Sequence, residues 1–206
     1  MSQGTQAASL LTIYGDSISG NCLKVKWTAE RVGRPFRWVE TSVLAGETRT
    51  PEFLAVNPAG QVPLVLLEDG RPLAQSNAIC LHLAEGSPLI PGDAYQRARM
   101  LEWLFWEQYS HEPYIAVARF QLTYLGTPRE ALEPRLFERG AAALARLETA
   151  LAEGEVLVGE TLTLADIACV AYTRVAHEGG FDLAGYPAVR RWIARIELEL
   201  GLSRAQ

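Results

Sequence analysis

The patterning of apolar residues changes once, near residue 90, and that change limits the possible folds more than any other feature of the chain. Before it, short apolar runs alternate with stretches of helical period. Leu10–Tyr14 reads as a buried strand, followed by a loop at Gly15-Asp16-Ser17. Asn21–Val32 reads as a helix stopped by Gly33. Phe36–Glu40 and Pro63–Leu67 read as strands. Asp69-Gly70 signals a hairpin into a short strand at Pro72–Ala74, and Gln75–Leu83 reads as a helix. After Pro88 and Pro91 the strand signals stop. Ala94–Tyr124 reads as one long helix kinked near Pro113, and Pro128–Leu151 as a second. A third begins at Thr163, where Thr163 and Asp166 are spaced for a capping box, with Leu162 and Ile167 placed as a hydrophobic staple. Tyr186–Leu198 closes the pattern. The expectation is an α/β domain over residues 10–85, a Pro-bounded linker over 86–92 and an all-helical domain over 93–206.

Composition narrows the class. The 206 residues are 49% hydrophobic and 21% charged, as in ordinary globular chains. A net charge of −5, with Lys24 and Lys26 the only lysines, argues against nucleic acid as the main partner. Cys22, Cys80 and Cys169 form no disulfide framework, and with the three histidines they share no metal-ligand spacing, so no metal is expected. A reducing, cytoplasmic location fits. Met1–Ser9 lacks the basic start and apolar stretch of a signal peptide. No apolar run reaches the length of a membrane span.

Three loops carry possible chemistry. The loop Ser17-Ile18-Ser19-Gly20-Asn21-Cys22 runs from a strand into a helix N-terminus, where unpaired amides and the dipole favour an anion or a thiolate. Ser17, Ser19 or Asn21 can donate to such an anion; Ser and Asn are equally the commonest helix caps. In Gly60-Gln61-Val62-Pro63, a proline heads a strand. By base rate the Val62–Pro63 bond is trans and Pro63 an edge-strand residue; a cis bond would turn the Val62 backbone toward an extended, peptide-like ligand. Gln75-Ser76-Asn77-Ala78-Ile79 opens the next helix, and its first amides with the Ser76 hydroxyl make either a carboxylate site or a plain cap.

Taken in order, Ser19-Gly20-Asn21-Cys22, Gly60-Gln61-Val62-Pro63, Gln75-Ser76-Asn77-Ala78-Ile79 and Thr163-Leu164-Ala165-Asp166 resemble the cytosolic glutathione transferases over about residues 10–200. The resemblance implies a thioredoxin-like domain followed by a helical domain, a homodimer, and glutathione as co-substrate. It implies Ser19 as hydroxyl donor to the glutathione sulfur, with Asn21 and Ser17 as alternatives. Val62, before a cis Pro63, would meet the cysteinyl backbone. Gln75 and Ser76 would grip the γ-glutamyl end, Gln61 the ligand backbone or glycine end, and Arg49 the glycine carboxylate. Many serine-type members carry an acidic residue where this chain has Gln75. Tyr14 is read as structural rather than as the donor of the tyrosine-type classes.

Ser19 and Cys22 keep the spacing of a redox Cys-x-x-Cys with the first cysteine replaced, so the nucleophile must come from glutathione, and Cys22 is read as a buried helix residue. A thiol of pKa about 8.5 is only about 3% ionised at pH 7. A fall of about 2 units raises that about 25-fold. The lower basicity returns about 8-fold, so ionisation by Ser19 nets only about threefold. Orientation against the electrophile must supply more. On the aromatic-rich stretch Trp103–Phe120, Tyr109, Tyr114 and Val117 are the expected electrophile wall, although aromatics at helical spacing are commonly core. His111 is read as a helix-bend or surface residue. The leading expectation is conjugation of the glutathione thiolate to small electrophiles. The alternatives are a glutathione-dependent disulfide or peroxide reductase, with Asn21 as donor, and a non-catalytic adaptor of the same fold. A maleyl-type isomerase fits less well, because the loop lacks that class's paired Ser and Cys residues.

Overall fold

The computed structural model describes residues 10–204. The expectation for Met1–Ser9 therefore lies outside the described residues. The chain divides into two compact units, with the break between Glu85 and Gly86.

The first unit is a mixed four-stranded sheet with helices. Its elements are β1 (Leu11–Gly15), α1 (Gly20–Arg31), β2 (Phe36–Glu40), α2 (Pro51–Val56), β3 (Leu64–Leu66), β4 (Pro72–Ala74) and α3 (Ser76–Leu83). The sheet order is β2-β1-β3-β4. β1 pairs parallel with β2 and antiparallel with β3, and β3 pairs antiparallel with β4. This is the thioredoxin-like arrangement the resemblance implied. β1 is central and nearly all buried, which explains its continuous apolar reading. α1 ends where Gly33 takes φ +67° and the Arg34 amide bonds back to Ala29 O at 2.9 Å, a Schellman-type stop. Sequence reading left residues 41–62 unassigned, yet α2 has its signals. Thr50 Oγ1 accepts from the Phe53 amide at 3.2 Å and Pro51 occupies the first turn.

The second unit is helical. Its elements are α4 (Ala94–Trp106), α5 (Glu112–Arg119), α6 (Pro134–Ala150), α7 (Leu164–Thr173) and α8 (Pro187–Glu199). The single long helix expected over 94–124 is interrupted by π-type turns at Glu107–His111 and Phe120–Tyr124. Pro113 has no amide hydrogen, and just before it the Glu112 amide bonds to Glu107 O, five residues back. The expected start at Pro128 is also corrected. Residues 129–131 form a 3₁₀ turn, and the α-helix begins at Pro134. All ten residues of α7 are buried, and Ile115, Leu144, Tyr172 and Phe181 form the core beside it. Gly140 lies under the Phe181 ring, where a Cβ would collide with it. Leu89 and Ile90, in the expected linker, are buried, and the Leu164 amide donates to Leu89 O at 3.1 Å. No helix among the described residues is long and apolar enough to cross a membrane.

Candidate functional site

Strand register gathers the predicted loops. Tyr14 on β1 stands opposite Leu64 on β3, and Leu64 stands opposite Ala74 on β4. The chain leaves β1 toward Ser19, enters β3 from Val62-Pro63 and leaves β4 toward Gln75-Ser76. All three loops therefore meet at one end of the sheet. The Val62–Pro63 bond is cis, as the resemblance implied and against the base rate.

Ser19 is the N-cap of α1, and its Oγ accepts from the Cys22 amide at 3.4 Å. That is a long bond, and the hydroxyl proton stays available for donation at a half-buried helix N-terminus. Capping and donation to a ligand are thus compatible roles for Ser19. Asn21 Oδ1 accepts from Lys24 Nζ at 2.8 Å and from Ser76 Oγ at 3.2 Å, so the first helix and the third are tied at their N-termini. An ammonium only donates, so the Asn21 atom facing it is the oxygen, and Nδ2 is the donor end. Ser17 is exposed, and its amide donates to Glu40 Oε1 at 2.7 Å. Burial works to raise the Glu40 pKa. The donors Ser17 N and Trp38 Nε1, with the charge of Lys26, outweigh it and hold the carboxyl below its ordinary range.

Gln75 adopts φ +72°, a conformation rare for a residue with a side chain, immediately before the first turn of α3. Such strain in an exposed residue is characteristic of ligand-binding positions. Gln61 is exposed, with its carbonyl held by Asn57 Nδ2 at 2.7 Å. The Arg49 guanidinium lies against the Cα of Gly60, where a side chain would collide with it. Arg49 is thereby brought beside the Gly60–Pro63 loop. Tyr14 packs edge-on to Phe53 at 6.3 Å, as a structural residue does.

Several contributors escaped sequence reading. Buried Asp16 accepts from the Ile18 amide at 3.1 Å and the Val43 amide at 2.8 Å, while its carbonyl accepts from Ser19 N at 3.0 Å. It shapes the turn that presents Ser19. An Asp two residues before the bonded amide is the Asx-turn signal that marks it. Lys24 is fully buried, and Asn57 is 6% exposed. Cys22 has no exposed surface; burial pushes its thiol up to about 11, against the lowering effect of Ser19.

In the second unit, Tyr109 and Tyr114 line one cleft of about 280 Å³ with Trp106, Ser110, Arg135 and Arg139. Val117 does not line it and is 38% exposed. His111 sits in the helix bend, but it is fully buried, which corrects the surface reading. Thr173 Oγ1 donates to Cys169 O at 2.7 Å, so it accepts from His111 Nε2 at 2.8 Å and the proton is on Nε2.

Comparison with known proteins matches this geometry. Residues 18–85 match the family model described as glutathione S-transferase, N-terminal domain, and residues 103–198 match the glutathione S-transferase, C-terminal domain. The chain is 48% identical to a crystal structure of a glutathione S-transferase from Pseudomonas fluorescens, covering 92% of this chain and 95% of that one, with a TM-score of 0.88. It is 32% identical to glutathione S-transferase 3 of Zea mays, over 76% of this chain and 73% of the relative. It is 29% identical to the disulfide-bond oxidoreductase YfcG of Escherichia coli strain K12, over 84% of each. With both domain models matched in order and the sheet-end site assembled from the expected loops, the chain belongs to the glutathione S-transferase family.

Proposed function

We propose that this chain is a glutathione S-transferase that conjugates glutathione to small electrophiles, with Ser19 as donor to the sulfur. The observation that carries the reading is the convergence at one sheet end of the Ser19 cap, the Val62-Pro63 turn and the Gln75-Ser76 turn. Two helix N-termini there suit the two anionic ends of a thiolate peptide, the sulfur at α1 and the γ-glutamyl carboxylate at α3. Bound glutathione supplies the nucleophile. The chain supplies the Ser19 hydroxyl, the Val62 backbone as an extended partner, the Gln75-Ser76 grip, and Gln61 with Arg49 at the glycine end. Tyr109, Tyr114 and Val117 are the proposed electrophile wall. A homodimer is part of the reading, supported by exposed Tyr95 and Phe105 on α4, each 73% accessible. A stable monomer by mass measurement in solution would remove the dimer. A cytoplasmic location accords with three free buried cysteines.

A second reading, a glutathione-dependent disulfide reductase, is favoured by one observation. Lys24 and Ser76 together fix the Asn21 amide with Nδ2 as its donor end, beside the helix terminus expected to hold the sulfur. Similarity to a disulfide-bond oxidoreductase agrees with it. Calorimetry with glutathione, joined to ultraviolet titration of the bound thiol, separates the two. If Ser19→Ala alone raises the bound thiol's pKa, the transferase reading stands. If Asn21→Ala alone does so, the reductase replaces it. If the wild type fails to bind glutathione, both fail and the non-catalytic adaptor remains.

A further inference from the structure

Side chains of the sheet in the first unit alternate between its two faces. On β1, Leu11 and Ile13 share one face, and Thr12 and Tyr14 the other. Register sets Val39 of β2 and Leu64 of β3 beside Tyr14, and Leu66 beside Thr12. α2 packs on this second face, where Phe53 meets the Tyr14 ring edge-on at 6.3 Å. Six residues make a helix only about 9 Å long, too short to cover the face. A cleft of about 320 Å³ remains beside it, floored by Tyr14, Val39, Leu64 and Leu66 and walled by Phe53 and Val56. It shares no residue with the proposed glutathione contacts. Its rim is acidic: Glu40, Glu47 and Glu52 line it, and no Lys, Arg or His does. The Glu40 carboxylate is engaged by Ser17 N and Trp38 Nε1, and Glu47 accepts from Ser42 N at 2.6 Å. Among the described residues neither Glu47 nor Glu52 pairs with a cation, and Glu52 makes no hydrogen bond. The contrast is with Glu68, Glu102, Glu178 and Glu197, each of which pairs with an arginine. An apolar floor with aromatic faces under unpaired negative charge selects a cation on an apolar body and repels an anion.

We propose that this cleft between α2 and the sheet binds an organic ammonium ion, one cationic nitrogen carried by an apolar body with a single ring. Its volume of about 320 Å³ suits a ligand of that size. The apolar body lies on Leu64, Leu66 and Val39, with the Tyr14 and Phe53 rings beside it. The nitrogen meets Glu47 and Glu52 at the rim, by charge-assisted hydrogen bonds where it carries protons. The site is independent of the transferase reading, because none of its residues serves that reading.

The test is calorimetric titration of the full chain with 4-phenylbutylammonium and with its neutral isostere 4-phenylbutanol, first without glutathione. The ammonium should bind at least about fivefold more tightly than the alcohol, on the scale of two exposed carboxylates and one aromatic face. Added salt should weaken the ammonium and spare the alcohol. The double variant Glu47→Gln/Glu52→Gln should lose at least about fivefold for the ammonium and little for the alcohol. Both glutamates are exposed, and glutamine keeps an oxygen to accept from Ser42 N, so an unchanged thermal midpoint is the fold control. Glu52→Lys alone is the second variant, and it should abolish ammonium binding. A smaller preference for the ammonium, no ammonium binding, or variants that bind it like wild type overturns the proposal. Excess glutathione should leave ammonium affinity unchanged; competition between the two would place the ammonium at the glutathione end of the sheet and overturn it as well.

Discussion

Asn21, Ser76 and Lys24 show how one interior residue can set the chemistry of a surface loop. The Lys24 ammonium, fully buried, holds Asn21 Oδ1 at 2.8 Å and leaves Ser76 to complete the link at 3.2 Å. Lys24→Met keeps the stem volume and removes the donor. Glutathione affinity should fall about threefold to tenfold, on the scale of one charge-assisted hydrogen bond, as read by calorimetry. Cys22 makes a second residue-level prediction. Its folded thiol lies at about 11, above the ordinary value near 8.5. The native state thus holds a proton that the unfolded chain releases between those values. Stability from this group is complete below about pH 8.5 and falls as pH rises toward 11. Urea midpoints across pH 7–10 should drop less for Cys22→Ala than for wild type, and Cys22 should resist a thiol reagent at pH 8 until the chain unfolds. The placement of Asn21 and Ser76 in the first turns of their helices and the burial of Cys22 were legible from local sequence. Lys24 was not, because a lysine's burial is decided by what packs over it.

At the level of elements, the capping box at α7 was legible in full. Thr163 and Asp166 occupy the expected positions, and Asp166 does more than cap. Its carboxylate accepts from Leu157 N, Thr163 N, Thr163 Oγ1 and Trp192 Nε1 at 2.9–3.1 Å. Burial nevertheless pushes its carboxyl above the ordinary range, against the pull of these donors. Asp166→Ala would strand several buried donors at once. The expected loss is about 3 kcal/mol or more, read from urea unfolding. The π-type turns were not legible. Proline marked where the helix would yield, but a kink and a slipped hydrogen-bond ladder look alike in sequence. α2 was missed for another reason: six residues are too short to show a helical period, although Thr50-Pro51 announces the cap.

Across the whole molecule, charge predicts how the fold answers acid. The Arg34 fork holds the Glu68 carboxyl below its ordinary range, through bonds of 2.8 and 2.9 Å from Nη2 and 3.2 Å from Nε. A depressed folded pKa contributes stability above the ordinary carboxylate value near 4.3, which is lost as pH falls through the folded value. Both side chains are about one-third exposed, so the contribution is at most about 0.5–1 kcal/mol. Thermal midpoints of wild type and Glu68→Gln should differ at pH 7 and converge near pH 2. The sequence by itself determined the succession of an α/β half and a helical half, because hydrophobic period and proline placement are local properties. It also marked the three loops, because caps and turns are written in a few adjacent residues. Only the tertiary structure decided that these loops share one end of the sheet, that Lys24 lies beneath Asn21, and that Arg135 and Arg139 face Tyr109 and Tyr114 across one cleft. Strand register and helix packing bring together residues far apart in the chain, and no local pattern encodes which of them will meet.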